Sequence, residues 1–180
     1  GLGTKSPFVD NVIISPRTRN RLIDNPQVEK FKTAEIGYLL RSPNLKARLT
    51  FFATDVQNAS DIKRYFYSDS GAFVNMTMKG INKRYTGIEF GAEIKISPTF
   101  SVNLAGAFTQ AFYTNRPTYK VYSDNDTAQF ISTFNQANDS LYIKNYYIPS
   151  GPQTALQASL IYRSKRYWFA SLTFNYMARN

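Results

Sequence analysis

The chain has no cysteine and no histidine among its 180 residues. Their absence excludes disulfides, zinc sites of the Cys/His type and the commonest nucleophile–base pairs. It does not fix a compartment, but it suits a cell-envelope protein that must avoid stray disulfides. No run of about 20 apolar residues occurs, so no membrane-spanning helix is expected. The start, GLGTKSPFVDN, lacks a charged segment followed by an apolar one and does not read as a secretion signal. An exported protein beginning here is expected to be a mature chain or a piece of something larger. Acidic residues are scarce, 12 against 22 Lys and Arg, giving a net charge of +10. The basic residues are scattered and form no stripe or basic helix, so nucleic acid is not expected as a partner. Their densest cluster is SPRTRNR, with Arg17, Arg19 and Arg21. It reads as a solvated loop, or as a contact with anionic headgroups, polysaccharide or ligand.

What the chain has in quantity is aromatic residues and alternation. It carries 13 Tyr, 14 Phe and 1 Trp, a mix suited to strands and membrane interfaces. Polar and apolar residues alternate through six segments, which pair as three hairpins with tight turns. In the first, residues 32–56, Ser42 is expected opposite Leu45 across Pro43-Asn44, setting Tyr38 against Leu49 and Ile36 against Phe51. In the second, 83–113, Ile96 is expected opposite Phe100, Ile94 opposite Val102 and Ala92 opposite Leu104. In the third, 153–177, Arg163 is set against Tyr167, Tyr162 against Trp168, Leu160 against Ala170 and Leu156 against Phe174. Each pairing brings apolar faces together.

The connections between hairpins are long: 57–82 and 114–152, with 1–31 leading in. DIKRYFYSDSGAFVNM suggests a strand extension within the first. DTAQFISTFNQAND suggests a short helix capped by Asp126, with Phe130 and Phe134 on one face. SDND at 123–126 offers oxygen ligands without the spacing or glycine of a calcium loop, and reads as loop acidity. The predicted fold is therefore all-β: one domain over 1–180, an antiparallel meander of about six strands.

Two architectures fit a sheet with one greasy face. A soluble sandwich turns that face inward; a transmembrane barrel turns it to lipid. The wet face here is mostly small or uncharged: Gly37, Thr50, Gly87, Gly91, Ala105, Ser159, Ser171 and Thr173. Its charges are few: Glu35, Lys46, Arg48, Glu89, Glu93, Lys95 and Arg163. Such a face lines a polar lumen more naturally than it meets bulk water. Tyr162, Trp168 and Phe100 lie beside the tight turns, with Phe112 and Tyr176 toward the opposite ends, as two interfacial belts require. Short turns at one end and long loops at the other also belong to outer-membrane barrels. Six strands do not close such a barrel, and lipid forbids bare edges, so the segment is expected to belong to a larger one. No acid–base or nucleophile set converges. Glu89 and Glu93 lie on one strand face and read as wall residues, so enzymatic activity and cofactors are not expected.

Particular motifs narrow this further. NPQVEKFKTAEIGYLLRSPNLKARLTFFATDVQN resembles a stretch late in the barrel of TonB-dependent outer-membrane receptors, through Glu29, Lys30, Glu35, Gly37, Tyr38, Asp55 and Asn58. GINKRYTGIEFGAEIKISPTFSVNLAGAFTQA resembles the family's next unit, through Gly87, Ile88, Glu89 and Gly106. The opening GLGTKSPFVDNVIISPRTRNRL is similar to the preceding loop in the large receptors of Bacteroidetes-type bacteria. The resemblance implies a large barrel in the outer membrane of a Gram-negative bacterium. It would be filled by a plug domain of the same parent chain and would import a nutrient with energy delivered by the TonB system. Plug and TonB-contacting segment are absent from this stretch. On that implication Glu35, Lys46, Arg48, Glu89, Glu93 and Lys95 face the lumen and plug, or pair along the wall. Tyr119, Tyr122, Tyr146 and Tyr147 are candidate ligand contacts in extracellular loops, or pack among the loops themselves. The alternative function is a soluble all-β module that binds a ligand or carbohydrate.

Overall fold

A computed structural model describes residues 1–15, 19–68, 71–123, 139–149 and 151–178. The chain is all-β. Its strands are β1 (Leu2–Lys5), β2 (Ile13–Ser15), β3 (Arg19–Leu22), β4 (Glu29–Arg41), β5 (Leu45–Tyr67), β6 (Ala72–Lys95), β7 (Phe100–Tyr113), β8 (Thr118–Ser123), β9 (Thr154–Arg163) and β10 (Phe169–Ala178). They form an antiparallel sheet in the order β1-β4-β5-β6-β7-β9-β10, with β8 beside β6 and a separate β2–β3 ribbon. All but the last of the residues suspected of forming a helix, and SDND beyond Ser123, lie outside the described residues, as do Arg17 and the side chains of Arg19 and Arg21.

Two compact units divide the chain. The first comprises Gly1–Lys32, Asp55–Arg84 and Phe112–Tyr146. It buries two apolar clusters. Ile14, Ile23 and Ile62 pack with Val12 and Tyr122, and Val74 and Val121 pack with Tyr67, Met76 and Tyr119. Much of it comes from the stretch read above as the long loop 57–82. There β5 and β6, 23 and 24 residues long, continue as strands. The expected strand extension is thus present and far longer than anticipated. The alternation hid it because both strands are interrupted. Asn58 and Gly80 adopt left-handed backbones, with φ of 61° and 67°. Such bulges shift the phase of a period-two pattern. Likewise β8 lies within the supposed loop 114–152, pairing Met78 with Tyr119 and Asn75 with Tyr122. The supposed loop 1–31 contains β1 to β3 and the first residues of β4.

Asparagines stitch these interruptions together. The Asn58 N–H donates to Asn82 Oδ1 at 3.1 Å, and the Asn82 N–H to Asn115 Oδ1 at 2.9 Å. The Asn115 amide donates to the Gly80 carbonyl at 2.7 Å. Backbone groups displaced from the ladder thereby keep partners, as buried strands require. The segment before β4 is pinned to this unit through Asp24. Its carbonyl accepts from Lys79 Nζ at 2.7 Å, and its carboxylate from Lys120 Nζ at 2.8 Å.

The second unit comprises Thr33–Thr54, Tyr85–Ala111 and Tyr147–Asn180. It holds the tight turns. The Ser42 N–H donates to the Leu45 carbonyl at 2.7 Å, and the hydroxyls of Thr33 and Thr54 meet at 3.2 Å in the same register. The Ile96 N–H donates to the Phe100 carbonyl at 3.0 Å. Both agree with the expected turns. The third hairpin differs by two residues: Arg163 faces Phe169, Tyr162 faces Ala170, Leu160 faces Leu172 and Leu156 faces Tyr176. Tyr167 takes a left-handed φ of 63° and leaves the ladder, so a five-residue turn closes through Ser164 N–H to the Trp168 carbonyl. An even shift leaves every side chain on its expected face.

Candidate functional site

The apolar face of the second unit is uncovered. Ile36, Leu172 and Phe174 are 72%, 74% and 66% exposed, and Tyr38, Phe51, Phe108, Leu160 and Tyr176 are exposed as well. Among this unit's described residues the only buried apolar side chains are Ala111 and Ile148. A sandwich core requires a second layer over this face, and among the described residues none covers it. The face is nonetheless packed laterally. β7 and β9 pair Phe100 with Tyr162, Val102 with Leu160 and Leu104 with Ala158. The Phe100 and Tyr162 rings lie 4.7 Å apart, and Tyr162 and Trp168 5.1 Å, so the aromatic residues beside the turns form one cluster. Further along, Phe90 stacks at 6.5 Å on Phe108 and leans across Gly106, where a Cβ would collide with its ring and with Leu156 Cδ2.

The opposite face carries the charged candidates, mostly in pairs. Arg48 Nη2 reaches Glu35 Oε1 at 3.2 Å, while its Nε donates to Thr50 Oγ1 at 3.1 Å. Lys46 Nζ lies 3.5 Å from Glu93 Oε2. Glu89 and Lys95 form no ion pair among the described residues, and both are exposed. Four of the six candidates thus form two ion pairs with one another. On the same face, Phe52 lies against Gly87, where an added Cβ would stand 2.9 Å from that ring and collide with the Phe108 carbonyl. These side chains share one polar face of the sheet.

The tyrosine candidates separate by environment. Tyr119 and Tyr122 are strand residues of β8, packed into the two apolar clusters of the first unit. Burial, reinforced by Asp139, raises the pKa of Tyr119. Tyr146, in the first unit, is 67% exposed although its backbone is fixed by exchange with Tyr113 through Asn145. Its neighbour Tyr142 is 70% exposed beneath the Arg116 guanidinium, 4.5 Å from the ring centre. Tyr147, in the second unit, is 58% exposed. Sequence reasoning missed Tyr142. It also missed Arg84, whose Nε and Nη2 grip Asp55 at 2.6 and 3.1 Å. That bidentate bond, with Lys32 nearby, lowers the Asp55 pKa and raises that of Arg84. The only sequence signal was an acid and a base at matching phase on adjacent strands.

Comparison with protein families, curated proteins and solved structures found no match.

Proposed function

We propose that this chain is a section of wall of a transmembrane β-barrel in a bacterial outer membrane. More particularly, we propose that its parent is a TonB-dependent receptor that imports a nutrient into the periplasm. The observation that carries the first step is the uncovered apolar face of the second unit, backed by a small, polar and ion-paired opposite face. A soluble binding module needs that face covered. Outer-membrane walls need it bare, because lipid supplies the cover. The aromatic cluster of Phe100, Tyr162 and Trp168 fits an interfacial girdle. The second step rests on the motif resemblance described above.

In this reading Ile36, Phe51, Ile88, Phe90, Ile94, Val102, Leu104 and Leu172 face lipid. Glu35, Lys46, Arg48, Glu89, Glu93 and Lys95 face the lumen and the plug. Tyr146 and Tyr147 keep their role as candidate ligand contacts, while Tyr119 and Tyr122 become structural. The chain performs no chemical step; it encloses a path.

A nitroxide attached at single cysteines tests the first step; this stretch holds no cysteine, and any in the rest of the parent is first replaced by serine. In the membrane-reconstituted full-length protein, labels replacing Leu172 and Ile36 should collide with lipid-dissolved oxygen and be shielded from a water-soluble nickel chelate. A label at Gln157, on the other face, should show the reverse. Water-like accessibility at Leu172 and Ile36 rejects the wall reading.

A further inference from the structure

The outward face changes character abruptly at one row of residues. Along β4 the positions in phase with Leu40, Tyr38, Ile36 and Ala34 continue as Lys32 and Lys30, both exposed. Along β5 the apolar phase of Leu49, Phe51 and Ala53 ends in Asp55, and along β6 that of Phe90 and Ile88 leads back through Thr86 to Arg84. Arg84 binds Asp55 through both carboxylate oxygens, and Lys32 acts on the same carboxylate. These side chains are therefore neighbours on one side of the sheet. Lys30 follows two residues from Lys32, about 7 Å along the strand on the same side. Glu29 and Phe31 have the opposite phase, and Glu29 is buried. The row thus presents three cations against one carboxylate.

β1 completes it. Leu2 pairs with Lys32 and Thr4 with Lys30, and Leu2 is 86% exposed. An exposed leucine beside two lysines matches a layer where acyl chains give way to headgroups.

We propose that Lys30, Lys32 and Arg84 form a binding site for the phosphate of an anionic lipid headgroup in the outer leaflet. Asp55 is its positioning residue and Leu2 its apolar floor. The site rests on the wall reading above. Asp55 occupies one edge of the guanidinium through two N–H donors and fixes its plane, leaving further N–H donors for an anion. The lysines add mobile charge, and basic residues at a membrane surface each strengthen attachment to anionic lipid.

The test uses the natural full-length protein in a non-ionic detergent, titrated calorimetrically with dihexanoyl phosphatidic acid, dihexanoyl phosphatidylcholine and inorganic phosphate. Phosphatidic acid should bind at least tenfold more tightly than either other probe. The double variant Lys30→Gln/Lys32→Gln should weaken it about tenfold or more, and Lys144→Gln, outside the row, should leave it unchanged. Equal binding of phosphatidylcholine, equal binding of free phosphate, or an unaffected double variant each overturns the proposal. The nitroxide at Leu172 tells which idea has failed. Lipid contact there with an unaffected double variant removes only the headgroup site. Water contact there removes the wall reading and the site with it.

Discussion

Gly106 is the residue at which packing on the apolar face can be tested most directly. It has no side chain because Phe90 and Leu156 occupy the space where one would stand. An aromatic ring lying over a cross-strand glycine shields backbone and adds contact area. Gly106→Ala should displace that ring and lower stability by about 1–3 kcal/mol. Gly91→Ala, whose Cβ would meet only the Leu104 carbonyl at 3.9 Å, should change stability by less than about 0.5 kcal/mol. Urea midpoints in detergent compare the two. Adding Phe90→Ala to Gly106→Ala should cost less than the sum of the single changes, since the collision is then removed. A second test at this scale concerns Asp55. Its pKa is lowered in the fold from 3.8 by the Arg84 hydrogen bonds. A depressed carboxylate stabilises above its unfolded pKa and loses that contribution as pH falls through the folded value. Both partners are partly exposed, 34% and 49%, so the contribution is about 0.5–1 kcal/mol. Asp55→Asn should therefore weaken the protein at pH 7, and the difference from the natural protein should shrink as pH drops below about 4.

At the scale of strands, the asparagine relay decides whether β5 and β6 continue past their interruptions. Asn115 serves two backbone groups at once, the Asn82 N–H and the Gly80 carbonyl. Asn115→Ala leaves both without these partners and should cost about 1–3 kcal/mol. Hydrogen exchange at the Asn82 amide should accelerate well before that at Val102, far from the relay. Equal acceleration at both amides would mean the relay is not a local clasp. This device also explains what the sequence concealed. The tight turns at Ser42–Leu45 and Ile96–Phe100 were legible because Pro, Asn and Ser mark them and the alternation on each side is unbroken. The outer halves of β5 and β6 were not legible. Asn58 and Gly80 reset the phase there, and both faces bury side chains such as Val74, Asn75, Thr77 and Met78. β8 was hidden for a related reason, since Tyr119 and Tyr122 look like loop aromatics until Met78 and Asn75 are found beside them. The paired wall charges were visible only as candidates. Choosing Arg48 for Glu35 and Lys46 for Glu93 needs cross-strand distances that a single sequence does not contain.

For the chain as a whole, the decisive features are a bare face and two bare edges. Among the described residues β10 has β9 on one side only, and β4 beyond Lys32 is paired only with β5. Rows of unpaired N–H and C=O groups on long, flat strands recruit further strands, and the adjoining apolar face is large enough to drive association by itself. The isolated 180-residue chain, refolded in water without detergent, is therefore expected to form large assemblies by sedimentation velocity. In detergent micelles the face is covered but the edges are not, so small oligomers joined through β4 and β10 should replace those assemblies. Proline at alternate positions of β10, such as Ser171 and Thr173, should block that edge and reduce the oligomers in detergent, while leaving aggregation in water largely intact. A chain that sediments as a cooperative monomer in plain buffer would contradict this account. Its apolar face would then have to be covered in solution, and the soluble binding module would replace the barrel wall as the better reading.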